Sequence, residues 1–94
     1  MFHGVEIVAQ QRLVVYELLA HHPDATFFVR YVGESNESLR VSTHDILVVD
    51  RSLTPQANNI IVVQSDEGFL LTRYKDVCSG VLWGVVRYII HDVS

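Results

Sequence analysis

Residues 46–63 read ILVVDRSLTPQANNIIVV. Two uninterrupted apolar runs, Ile46-Leu47-Val48-Val49 and Ile60-Ile61-Val62-Val63, are held apart by Pro55 and the pair Asn58-Asn59. Short apolar runs rich in β-branched residues and bounded by turn formers mark strands buried on both faces. On the C-terminal side, Asp66-Glu67-Gly68 turns the chain into another strand at 69–74, which makes a hairpin. A short turn at 76–80 then leads to a last strand over 81–90. On the N-terminal side, residues 25–32 carry Thr26, Phe27, Phe28, Val29, Tyr31 and Val32 and read as a strand, followed by a polar loop at 33–43. Before Pro23 the pattern changes. Residues 10–20 lack glycine and proline and space their apolar side chains as an amphipathic helix, which Pro23 stops. The expectation is a mostly β fold in a single domain, 1–94, with an arm at 1–9, one short N-terminal helix at 10–21 and a β core at 25–91.

Length and composition set further limits. Ninety-four residues make one small domain, 49% hydrophobic and 19% charged, which is ordinary for a globular chain. A chain of this size buries only about 60–65% of its unfolded surface, so a partner subunit would add to a modest core. Seven Lys and Arg against eleven Asp and Glu give a net charge of −4. Gripping nucleic acid by its phosphates needs a basic face, so direct nucleic-acid binding is disfavoured. A single cysteine, Cys78, excludes an internal disulfide. No secretory leader is evident and no apolar run approaches the ~18 residues that span a bilayer. The reading is of a cytoplasmic domain with no membrane contact.

Few residues suggest chemistry. His21-His22 are adjacent and lack zinc spacing, so they read as a helix end rather than a metal pair, and neither a metal nor a cofactor is expected. Asn36-Glu37-Ser38 is a formal glycosylation acceptor in a polar loop. Cys78 has no neighbour that would activate a thiolate. Trp83, Tyr88 and Phe27-Phe28 read as core or dimer contacts. Ser35 stands apart because it follows a strand at the mouth of the loop, although a serine is a nucleophile only when a base takes its proton.

Three segments are family-like: His22-Pro23-Asp24-Ala25-Thr26-Phe27-Phe28-Val29-Arg30, Gly33-Glu34-Ser35, and Asp45-Ile46-Leu47-Val48-Val49-Asp50-Arg51-Ser52-Leu53-Thr54. With Leu82-Trp83-Gly84-Val85-Val86 they resemble the UmuD branch of the LexA/UmuD family over residues 12–91. The resemblance implies a mostly β domain of the LexA/UmuD C-terminal type that forms homodimers. It also implies a serine–lysine dyad that cleaves the family's own N-terminal arm. In the UmuD branch it implies a processed form that joins a Y-family, UmuC-like polymerase for error-prone translesion synthesis in the SOS response to DNA damage.

Under this resemblance Ser35 takes the nucleophile position and Thr72 takes the place of the family's lysine, where the family reads FTVKRL. A threonine hydroxyl is no base at neutral pH, Arg73 stays charged, and Lys75 alternates to the other face of an extended strand. His44, in the place of a turn glycine, is the one substitute base in sight. Asn36 replaces the methionine that follows the family's serine, and Asn58-Asn59 replaces a Gly-Asp turn. Only residues 75–81 fill a gap where the family has a longer segment with an added strand, which predicts an open sheet edge. The opening residues fall near the start of the family's processed form, so no cleavable arm is expected.

These features imply a non-catalytic, UmuD′-like accessory protein. Its expected contact surfaces are residues 8–19 and the last strand, 82–90. One alternative is a decoy that heterodimerises with a full-length UmuD-like or LexA-like relative. Another is a residual self-peptidase that uses Ser35.

Overall fold

The computed structural model describes residues 19–75 and 80–94. Among them the chain is mostly antiparallel β. A 3-10 turn at Pro23–Ala25 leads into β1 (Thr26–Arg30), then β2 (Ile46–Asp50), β3 (Ile60–Ser65), β4 (Gly68–Arg73) and β5 (Val81–Ile90). The five form one sheet in the order β1-β2-β5-β3-β4. Helical backbone ends at Leu19, so His21 and His22 lie in a bend rather than in the helix expected to reach residue 21. Pro23 disfavours helical geometry in the residue before it, and the His22 ring is drawn to Asp50 instead. The rest of that helix, the arm and Cys78 lie outside the described residues.

The two apolar runs become the inner strands as their sequence dictates. In β2, Leu47, Val48, Val49 and Asp50 are all buried, and in β3 so are Ile61, Val62 and Val63. Strand β5 lies between them. Its C-terminal half pairs with β2, from Ile46↔Ile90 to Asp50↔Val85, and its N-terminal half pairs with β3, from Ile61↔Val85 to Gln64↔Val81. Each ladder skips one β5 residue, Arg87 against β2 and Trp83 against β3. Such bulges bend a strand and sharpen its twist. The β3–β4 hairpin closes through Asp66-Glu67, with Ser65 opposite Gly68 and Gly68 at φ 112, a backbone that favours glycine. Strands β1 and β4 are the edges, and β4 is the more open, with Phe69 and Leu70 largely exposed.

The two faces are covered differently. On one, Leu47, Val49 and Val62 pack with Leu39 and Val41. These last two come from the 33–43 loop, which reads as merely polar in sequence but covers part of this face. Asn36 and Val41 exchange backbone hydrogen bonds at 2.8 and 3.1 Å, folding the loop into a tight turn that presses Leu39 and Val41 inward. On the other face, Ile61, Val63 and Val85 pack against Leu53 and Tyr74. Ile61 is completely buried. Ile61→Ala therefore removes buried methyl and methylene groups from the core, with a loss of roughly 3 kcal/mol in stability. Val32→Ala, at an exposed loop position, changes stability by less than about 0.5 kcal/mol. Denaturant unfolding of the two variants checks the contrast.

Candidate functional site

Ser35 sits where the chain leaves the β1 side of the sheet and enters the turn. Its Oγ accepts a hydrogen bond from the Thr43 backbone N–H at 3.1 Å and lies 3.4 Å from Thr43 Oγ1. Thr43 Oγ1 donates to the Gly33 carbonyl at 2.8 Å, so the Ser35 hydroxyl is the donor toward Thr43. The hydroxyl is exposed and bonded within its own loop. Tyr31 Oη, which donates to the Glu34 carbonyl at 2.6 Å, braces the approach to the loop.

Thr72 is placed elsewhere. In β4 it lies opposite Ile61, Ile61 lies opposite Val85, and Val85 lies opposite Asp50. Side chains directly opposite each other in antiparallel pairs share a face, so Thr72 stands with Asp50 and Ile61. The loop carrying Ser35 packs on the other face, through Leu39 and Val41. The β4 residue that reaches this loop is Arg73, whose guanidinium donates to the Ser38 carbonyl at 3.0 Å and the Asn58 carbonyl at 2.8 Å. Ser35 and Thr72 are thus not brought together. His44 fills a turn at φ 78, the left-handed backbone that glycine adopts at lower cost, and its carbonyl accepts from Arg30. Asn58 likewise takes φ 70, which asparagine tolerates.

Two buried carboxylates organise the surroundings. Asp45 accepts the Ser42 backbone N–H at 2.8 Å and contacts His91 Nδ1 at 2.7 Å. The Ser42 and His91 hydrogen bonds hold its pKa below the usual carboxylate range, against the opposing effect of burial. His91 is half exposed, and it lines an open cavity of about 490 Å³ together with Ser35, Arg40 and Asp45. Sequence reading missed this pair, since the two residues lie far apart in the chain. Their meeting follows from the Ile46↔Ile90 register, which sets the residues just beyond those two side by side.

Asp50 is the second. It accepts both the Ser52 N–H at 2.8 Å and the Ser52 hydroxyl at 2.6 Å, and it meets His22 Nδ1 at 2.5 Å. Burial pushes its pKa up, but the bonds from Ser52 and His22 outweigh that and hold the carboxyl down to about 2. His22 is thereby committed to a carboxylate. Among the described residues no group of three or more His, Cys, Asp and Glu side chains is placed to hold a metal, and no helix is long and apolar enough to cross a membrane.

Around Trp83 the first face is open and aromatic. Phe27 from one edge strand and Phe69 from the other each come within 5.5 Å of the Trp83 ring, measured between centroids. The Arg51 guanidinium carbon stands 4.5 Å from that ring's centroid, and Arg51 Nε donates to the Trp83 carbonyl at 2.7 Å.

Compared with known proteins, 64 residues of the chain are 41% identical to Protein MucA of Salmonella typhimurium, covering 68% of this chain and 44% of MucA. The chain is similar to MucA. It is also 38% identical over 65 residues to Protein ImpA of Shigella flexneri, covering 69% of the chain and 45% of ImpA. A shorter likeness, 35% over 53 residues, links it to Protein SamA of Salmonella typhimurium, covering 56% of the chain and 38% of SamA. The chain thus spans under half the length of the curated relatives it matches. No family model matches it.

Asp50 generates a pH prediction. Its ordinary pKa is 3.8 and its folded value is about 2, so the unfolded chain binds the proton more readily. The stabilisation it supplies is complete above about pH 4 and is lost as pH falls toward 2. Asp50→Asn removes that part of the acid sensitivity and also lowers stability at neutral pH, because an uncharged amide is a weaker acceptor for Ser52 and His22. Urea unfolding of the native chain and the variant at pH 7, 4 and 2.5 checks both effects.

Proposed function

We propose that this chain is a UmuD′-like accessory protein of SOS-induced, error-prone translesion synthesis. It acts by binding a Y-family polymerase as a dimer and makes no use of serine–lysine self-cleavage. The observation that carries the reading is the likeness to MucA, ImpA and SamA, taken together with the UmuD-like segments at 22–30 and 45–54. The geometry of the sheet supports the binding half of the proposal. Phe27 and Phe69 remain well exposed beside Trp83 on one face, an apolar surface of the kind that protein partners cover. The loss of self-cleavage rests on Thr72, which has no basic amine and lies on the face away from the Ser35 loop.

Co-purification tests the proposal. The tagged chain retains an untagged Y-family polymerase, and Phe69→Glu lowers that retention at least ~10-fold by placing a charge in the apolar surface. Retention of a full-length UmuD-like relative without the polymerase would replace the accessory reading with that of a heterodimerising decoy. Retention of neither would overturn both.

A further inference from the structure

We propose that Ser35, His91 and Asp45 form a hydrolytic site for small acyl esters, distinct from the serine–lysine arrangement. The three side chains line one open cavity of about 490 Å³. Asp45 is buried, and one of its oxygens is fixed by the Ser42 N–H at 2.8 Å. Its other oxygen meets His91 Nδ1 at 2.7 Å. A carboxylate held at Nδ1 keeps the proton on that nitrogen and leaves Nε2 as the basic lone pair. That is the relation in which a carboxylate orients a histidine to act as general base. His91 is half exposed, so Nε2 is open to solvent and to substrate.

Ser35 supplies the hydroxyl. At rest it is turned to Thr43, accepting the amide N–H at 3.1 Å and donating to Oγ1 at 3.4 Å, the second a long contact. The reaction requires a step between staggered χ1 rotamers that turns it from Thr43 toward His91. The same step releases the Thr43 amide, which becomes a donor for charge developing on a carbonyl oxygen. As Ser35 Oγ bonds to the ester carbonyl carbon, its proton passes to His91 Nε2. The carbon–oxygen bond to the leaving group then breaks, and that oxygen takes the proton from Nε2. Water, giving a proton to the same nitrogen, attacks the acyl-serine, releases the carboxylic acid and restores the Ser35 hydroxyl. The cavity is open enough to admit a short acyl group. This activity goes beyond the accessory role, and polymerase retention reports on that role separately.

The test uses a fluorophosphonate, which phosphonylates serines activated as nucleophiles, followed by peptide mass analysis and by hydrolysis of p-nitrophenyl acetate. One adduct forms, at Ser35, and Ser35→Ala abolishes both the adduct and the hydrolysis. His91→Ala slows labelling at least ~100-fold and removes its dependence on pH. Because His91 is at the surface, circular dichroism confirms that this variant is folded. As a positioning residue, Asp45→Asn slows labelling at least ~10-fold and alters the pH profile, while an amide oxygen still accepts the Ser42 N–H. Absence of an adduct, an adduct at another residue, or labelling of Ser35 at a rate that His91→Ala leaves unchanged would each overturn the proposal.

Discussion

The pairing of β5 with β2 on one side and β3 on the other is the constraint on which the sheet depends. The two ladders overlap at Val85, which stands between Asp50 and Ile61. That rung continues outward to Thr26 and Thr72, so one row of residues crosses all five strands. Its three central members are almost wholly buried. Gly84, beside it, allows the close approach: a Cβ there would stand 2.5 Å from Val49 Cγ1 and 3.2 Å from Arg51 Cγ. A larger residue would push β5 away from its neighbour and loosen the row. Burying Asp50 in this row carries a desolvation cost that its three hydrogen bonds offset.

The same strand sets out the functional surfaces. At its N-terminal end the bulged Trp83 spreads between Phe27 and Phe69, so both sheet edges contribute to one aromatic patch. At its C-terminal end it delivers His91 to Asp45, beside the loop that bears Ser35. A binding surface and a cluster of polar groups thus occupy opposite ends of β5. Nothing in this layout requires Thr72 to take part in chemistry, since it belongs to the central row with Asp50 and Ile61. The two roles proposed for the chain use separate residues, and one can be lost without the other.

Much of the strand content was legible because its signal is local. The runs at 46–49 and 60–63 are apolar throughout, and only a strand with both faces covered buries every residue of such a run. The Asp66-Glu67-Gly68 turn and the strand at 81–90 were equally readable. The loop at 33–43 was not. Its serines and acids read as solvent-facing, and only the Asn36–Val41 bridge shows that Leu39 and Val41 are turned inward. The end of the helix was misjudged for a related reason. His21 and His22 suit a helix terminus by local preference, yet His22 gains more from a buried carboxylate that is distant in sequence.

For the site, sequence marked Ser35 and Thr72 by position in a resemblance, and it offered His44, in the place of a turn glycine, as the one substitute base. Nearness in sequence counts for little across a β sheet, where neighbours come from register. The sequence by itself determined which segments are strands, where the turns fall and that the chain is acidic, because those follow from side-chain pattern and composition. Only the tertiary structure decided that β5 lies between β2 and β3, that Thr72 and the Ser35 loop occupy opposite faces, and that His91 meets Asp45. Strand order and register are settled by which long-range pairings bury the most apolar surface while satisfying every backbone hydrogen bond, and no local stretch of sequence carries that information.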